Sequence, residues 1–236
     1  MNEILVQLSK NLPKREQSFL KFEELQTRKS HSKAPQQIEG LRLRFIKDLI
    51  QENISHFSNI VVDTGDSWFL GQSLTLEKHS KFHVQMQYGS IGWSLPAMLG
   101  ISLHSKRLRQ SKDLLIIGDG AFQVTCQELS TMIRQNLDVI VLVINNGLYT
   151  IEQQIHSGPY NELVSWDYSS LVNCFKGNSP TATGFKIKTC EELSKALDFV
   201  VNHEGVSVLE CCIPKDDCST ELKVWGERVA RANRRN

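Results

Sequence analysis

The chain has 236 residues, 40% of them hydrophobic, and a formal net charge of +1. That is a little over one average domain, apolar enough for a core and without the positive excess of a dedicated nucleic-acid surface. No apolar run approaches the roughly 18–20 residues that span a bilayer, and the N-terminus lacks the apolar stretch of a secretory signal.

Residues 1–35 are polar, rich in Lys, Gln, Ser and Glu, with only Ile4-Leu5-Val6 as an apolar patch. They read as a linker, with a contact surface for another domain as the alternative, and residues 36–236 read as one domain. Ile38, Leu41, Phe45 and Leu49 keep helical spacing. Ile60-Val61-Val62 is the first strand, and residues 91–104 form a helix opened by a glycine-containing turn. Leu114–Ile117 and Val139–Ile144 have the length of buried parallel strands. Between them Phe122, Cys126, Leu129 and Ile133 mark one face of a single amphipathic helix. Leu193, Ala196, Leu197, Val200 and Val201 mark another helix, Val206–Leu209 a strand, and Leu222, Trp225 and Val229 the last helix. This alternation predicts an α/β fold: a doubly wound, mostly parallel sheet with helices on both faces. Six cysteines (126, 174, 190, 211, 212, 218) form no Cys-x-x-Cys pair. They are expected to be reduced packing residues, Cys126 and Cys211 on core elements, in a cytoplasmic chain with neither membrane nor nucleic-acid partner.

The chemistry concentrates after the two central strands. Gly118-Asp119-Gly120 ends one and Asn145-Asn146 ends the other, and in a βαβ unit both turns reach the carboxyl edge of the sheet, where open α/β sheets bind ligands. The glycines would allow close backbone approach through conformations closed to other residues. Helix-start N–H groups attract phosphate, while Asp119 and the Asn145-Asn146 turn offer hard oxygens suited to Mg²⁺. A magnesium-bridged diphosphate is the physical reading; a capped βα turn is the plain alternative.

Gly-Asp-Gly at this distance from Asn-Asn resembles the signature of thiamin diphosphate enzymes. Asp63–Phe69 (DTGDSWF), Gln85–Ser94 (QMQYGSIGWS), Tyr149–Glu152 (YTIE) with Ile155-His156, Gly158–Asn161 (GPYN), Trp166–Tyr168, Asp217-Cys218 and Trp225–Val229 (WGERV) are similar to the pyruvate decarboxylase family, plant and bacterial members included. The similarity runs from about Ile60 to Arg235 and covers the last of that family's three domains.

The resemblance implies the following roles. Thr64 and Asp66 would lie near the diphosphate or ring, though Asp66 could simply cap the turn after it. Gly89 would accept a hydrogen bond from the aminopyrimidine, with Ser90 beside it and Ile91 as the wedge that bends the cofactor. Gly118, Asp119, Gly120, Ala121 and Phe122, then Asn146, Leu148, Tyr149, Thr150 and Ile151, would complete the cofactor site. Asp119, Asn146 and the Leu148 carbonyl would hold Mg²⁺. The family has Gly where Leu148 stands, so a left-handed turn there would strain Leu148 unless Gly147 shifts it. Glu152 would be the acid–base catalyst, its carboxyl tuned by burial or a like charge; as a plain helix-start acid it would do neither. His156 reads as structural.

The implied reaction is decarboxylation of a 2-oxo acid, pyruvate first, with indolepyruvate or branched-chain oxo acids as alternatives; pyruvate would give acetaldehyde and CO₂. The family's pyrimidine-binding domain brings a further Glu and an adjacent His pair, and none of the seven histidines here is next to another. A separate pyrimidine-binding domain or chain in an oligomer is therefore the expected partner. An inactive fragment and a non-catalytic interaction module are the competing readings.

Overall fold

The computed structural model describes residues 40–108, 112–177 and 181–233, together with Gln7 and Lys10. Contacts separate Met1–Gln37 from Ile38–Asn236; the linker reading of residues 1–35 lies outside the described residues, apart from those two helical positions. Ile38, the first residue of the expected opening helix, lies outside them too.

The strands are β1 (Phe57–Val62), β2 (Lys81–Val84), β3 (Lys112–Gly118), β4 (Val139–Asn145), β5 (Thr183–Ile187) and β6 (Ser207–Cys212). The helices are α1 (Leu43–Glu52), α2 (Asp66–Gln72), α3 (Ser94–Leu108), α4 (Asp119–Thr125), α5 (Glu128–Arg134), α6 (Thr150–Ile155), α7 (Leu171–Phe175), α8 (Cys190–Val200) and α9 (Thr220–Asn233). The sheet order is β2-β1-β3-β4-β6-β5, and every neighbouring pair is parallel.

Alternate residues of each central strand feed two cores, because strand side chains point to opposite faces. On one face Ile46, Ile50, Leu70, Leu193 and Leu197 pack against Ile60, Leu114, Ile116 and Leu142. On the other, Leu95, Met98, Phe122, Leu129 and Met132 pack against Val61, Leu115, Val141 and Val208. Each such aliphatic side chain contributes about 1.5–3 kcal/mol by leaving water, so the continuous apolar runs of β3 and β4 fix the centre of the sheet. The chain winds left of β1 to make β2 and then returns to place β3 on its right. That reversal opens a crevice between the carboxyl ends of β1 and β3.

Several elements differ from expectation. The single helix through Phe122 and Ile133 is two helices. Between them Leu129 donates to the Cys126 carbonyl at 3.1 Å and Ser130 to the Gln127 carbonyl at 3.0 Å, the i→i+3 pattern of a 3₁₀ turn. The apolar face survives the break, since Phe122, Leu129 and Ile133 remain in one core with Cys126 against it. The helix expected from Ile91 starts at Ser94, because Gly92 has φ +81° and cannot join a right-handed helix. Strands β2 and β5 were not foreseen. Both are edge strands, and partial exposure breaks up their apolar pattern. Among the described residues no helix is long and apolar enough to cross a membrane.

Candidate functional site

Strand β3 delivers Gly118 in extended geometry, and Asp119 opens α4. The Asp119 side chain is almost fully buried, at 2% exposure. It accepts the N–H of Gly120 at 2.8 Å and that of Gly147 at 2.7 Å. Burial nevertheless pushes its carboxyl up to about 6, with the backbone donors pulling the other way. Among the described residues no Lys or Arg pairs with it. A buried carboxylate held only by amides lacks a counter-charge, and a cation would supply it.

Across the gap, β4 delivers the two asparagines to different tasks. Asn145 turns inward and donates to the buried Glu210 at 2.8 Å. Asn146 stays at the edge: its amide nitrogen donates to the Thr150 hydroxyl at 2.5 Å, and its oxygen accepts the Leu148 N–H at 3.1 Å. Gly147 takes the left-handed conformation, φ +70°, and Leu148 does not. The turn has moved one residue earlier, so Leu148 carries no left-handed strain.

These ends line a cleft of about 50 Å³, together with Thr64, Gly65, Asp66 and Ser67 after β1, Ile91, Gly120 and Ala121, and Leu148, Tyr149, Thr150 and Ile151. Gly65 was not singled out from the sequence; with φ +113° at the start of α2 it holds a conformation that favours glycine. Ser67 was also missed. It is 1% exposed, and its hydroxyl finds no hydrogen-bond partner in the protein, which leaves a donor for a ligand.

Four predicted site residues lie outside this lining. Phe122 is fully buried and meets Tyr168 edge-on at 5.7 Å, as a core residue. Gly89 and Ser90 sit on an exposed arm, Gly89 donating its N–H to Gln85 at 3.0 Å. Glu152 is exposed on the first turn of α6, so this chain by itself does not supply the burial that the expected acid–base role calls for. Asp66 lines the cleft, yet its carboxylate is committed to Ser219, accepting that residue's N–H at 2.7 Å and its hydroxyl. Burial raises its pKa and the Ser219 bonds oppose the rise. Rather than capping its own turn, Asp66 ties the start of α2 to the start of α9.

The glycines act differently from expectation. Neither Gly118 nor Gly120 has positive φ. A Cβ at Gly120 would lie 2.5 Å from the Tyr149 ring, whereas at Gly118 it would point into open space. Packing therefore explains Gly120, and room beside the backbone is what Gly118 leaves. A larger cavity, about 430 Å³, lies among Arg42, Lys47, Phe69 and Cys218 and contains none of the predicted residues; donor chemistry, not volume, selects the smaller cleft. Among the described residues no group of three or more His, Cys, Asp and Glu gathers to hold a metal. The available set is one carboxylate, one amide oxygen and one backbone carbonyl, hard oxygens that fit Mg²⁺ with its remaining positions filled by phosphate and water.

Residues 63–211 match the family described as thiamine pyrophosphate enzyme, C-terminal TPP binding domain. Over its whole length the chain is 39% identical to pyruvate decarboxylase of Neurospora crassa and covers 41% of that protein. It is 38% identical to pyruvate decarboxylase 2 of Arabidopsis thaliana, covering 39%. Over 84% of its length it is 42% identical to pyruvate decarboxylase 1 of Zea mays, covering 32%. The chain thus spans about two-fifths or less of the curated relatives it matches. Among solved structures, benzoylformate decarboxylase from Polynucleobacter necessarius superposes with a TM-score of 0.64 at 24% identity, over 72% of this chain and 33% of that one, a likeness of fold.

Proposed function

The chain belongs to the thiamine pyrophosphate enzyme family through its C-terminal cofactor-binding domain, and on that premise we propose that it is the diphosphate-binding part of a magnesium-dependent 2-oxo acid decarboxylase. Pyruvate is the substrate the named relatives favour, with acetaldehyde and CO₂ as products. When bound, the cofactor supplies the electron sink that lets CO₂ leave. Asp119, Asn146 and the Leu148 carbonyl would hold the metal. Gly118 leaves space for the diphosphate, and the unpartnered Ser67 hydroxyl can donate to it. Ile91 and Tyr149 supply apolar walls, and Gly89 offers a carbonyl to the ring end.

Glu152 would hold and return the proton at its carboxyl oxygen. Its exposure in this chain argues that a second domain covers it in the complete site. That domain, of the pyrimidine-binding kind, is the proposed partner. Six free thiols agree with a reducing, cytoplasmic setting.

The observation that carries the proposal is the convergence of Asp119, Asn146, Leu148, Ile91 and Thr64 on one cleft from four separate stretches of chain. The test is CO₂ release from pyruvate with thiamin diphosphate and Mg²⁺, by the purified chain alone and with a pyrimidine-binding domain supplied. Turnover only in the mixture, abolished by Glu152→Gln, is expected. Turnover by the chain alone would contradict the need for a partner, and none in either would contradict the assigned reaction.

A further inference from the structure

We propose, resting on the cofactor reading above, that Asp63 is a positioning residue whose carboxylate locks the Gly89–Ile91 arm against the cleft and so governs how tightly the ring end of the cofactor is held, separately from its diphosphate end.

Asp63 follows β1 directly and is 1% exposed. Its own N–H is fixed to the Ile116 carbonyl at 3.0 Å, so the carboxylate stands on the centre of the sheet. One oxygen accepts the N–H of Thr64 at 2.8 Å and that of Gly92 at 3.2 Å. The other accepts both the N–H and the hydroxyl of Ser94, at 3.0 and 2.5 Å. A single side chain thus fixes the stretch carrying Thr64 and the stretch carrying Ile91, two walls of the cleft that lie far apart in sequence.

Gly92 is gripped from its other side as well. Its carbonyl accepts the Thr125 hydroxyl at 2.8 Å. With φ +81°, and with space for a Cβ closed by Val124 at 2.8 Å, the residue has one seat. Ile91 immediately precedes this clamped peptide. Beyond it the arm is exposed, and the bonds shown for Tyr88 and Gly89 go only to Gln85 within the arm itself. The anchoring to the sheet therefore lies at the Asp63 end. An Asp fits because four donors converge on two acceptor oxygens; an Asn would turn an NH₂ toward at least one of those donors.

The experiment compares the whole chain with Asp63→Asn at saturating Mg²⁺, titrating thiamin diphosphate and, separately, inorganic pyrophosphate, and following amide exchange at Gly92 and Ser94. The expected result is about tenfold weaker thiamin diphosphate binding, pyrophosphate binding within about twofold, and lost protection at both amides. Equal weakening of both ligands would mean a merely structural role and overturn the proposal, as would unchanged thiamin diphosphate affinity. If the unaltered chain binds pyrophosphate but not thiamin diphosphate, the cofactor reading itself fails; protection unchanged in Asp63→Asn would then overturn the clamp on its own. Should Asp63→Asn fail to fold, Thr125→Val loosens Gly92 without touching the buried carboxylate. It should weaken thiamin diphosphate about threefold and leave pyrophosphate unchanged; no difference would count against the proposal.

Discussion

The Asp119 carboxylate, just beyond β3, accepts the backbone N–H of Gly147, just beyond β4, at 2.7 Å. This bond joins the two strand ends that carry the proposed metal ligands, so one side chain sets the turn presenting Asn146 and Leu148 and, on the proposed reading, would also offer an oxygen to the cation. Asp119→Asn should cost about 1–3 kcal/mol where an amide donor loses its acceptor, partly offset by removal of a buried charge. Magnesium-dependent cofactor binding should weaken at least about tenfold. Denaturant unfolding and calorimetric titration measure the two effects independently.

The turn after Asn146 separates position from residue type. Gly147 bears the left-handed conformation, so Gly147→Ala should destabilise by about 1–2 kcal/mol and weaken Mg²⁺ binding. Leu148 offers only its carbonyl, from ordinary backbone. Leu148→Gly should leave Mg²⁺ affinity within about threefold and reduce stability by about 1 kcal/mol, through chain entropy. A large gain in affinity on Leu148→Gly would show that the leucine harms the site.

Gly118 and Gly120 should respond in opposite ways. Gly120→Ala drives a methyl into the Tyr149 ring, at 2.5 Å before any adjustment, and should cost about 1–3 kcal/mol as overpacking does. Gly118→Ala meets nothing and should leave the melting temperature unchanged while weakening cofactor binding. Unchanged binding by Gly118→Ala would remove the diphosphate from that place.

Glu152→Gln should be silent in this chain by itself. The side chain is exposed, so stability should change by less than about 0.5 kcal/mol, and cofactor affinity should hold. Only turnover in the complete assembly should fall, as steady-state assays would read.

Stability should depend on pH through His83, whose Nε2 donates to the Asn59 oxygen at 3.2 Å while the Asn59 amide nitrogen binds Asp113 at 2.7 Å. Burial, then Lys81, lower the imidazole pKa, against Asp113. The folded state thus binds this proton more weakly than the unfolded chain, whose value is about 6.5. The contribution is present above pH 6.5 and is lost as pH falls through and below it. Melting temperatures from pH 7.5 to 5 should decline less steeply in His83→Gln.

Much of the site was legible because its chemistry sits on the best-buried strands. Runs such as Leu114–Ile117 can only be central strands, and the residues just past them are then forced to the carboxyl edge. Strands β2 and β5 escaped because a half-exposed edge carries no such run. The break at Cys126 escaped because a 3₁₀ turn preserves the apolar face it interrupts. Asp66 and Asn145 were placed at the right strand ends, but their partners were not legible: Ser219 lies 153 residues from Asp66 and Glu210 lies 65 from Asn145, and such pairings are written in the fold, not in local spacing. Glu152 shows the same limit, since nothing in Tyr-Thr-Ile-Glu records how open its surroundings are.

The most direct measurement is calorimetric titration of thiamin diphosphate into the purified chain, with saturating Mg²⁺ and again with EDTA, for the unaltered chain and Asp119→Asn. Saturable binding that needs Mg²⁺ and is lost in Asp119→Asn is the predicted result. Binding that survives EDTA, or that Asp119→Asn leaves intact, would contradict a magnesium-bridged diphosphate site between β3 and β4.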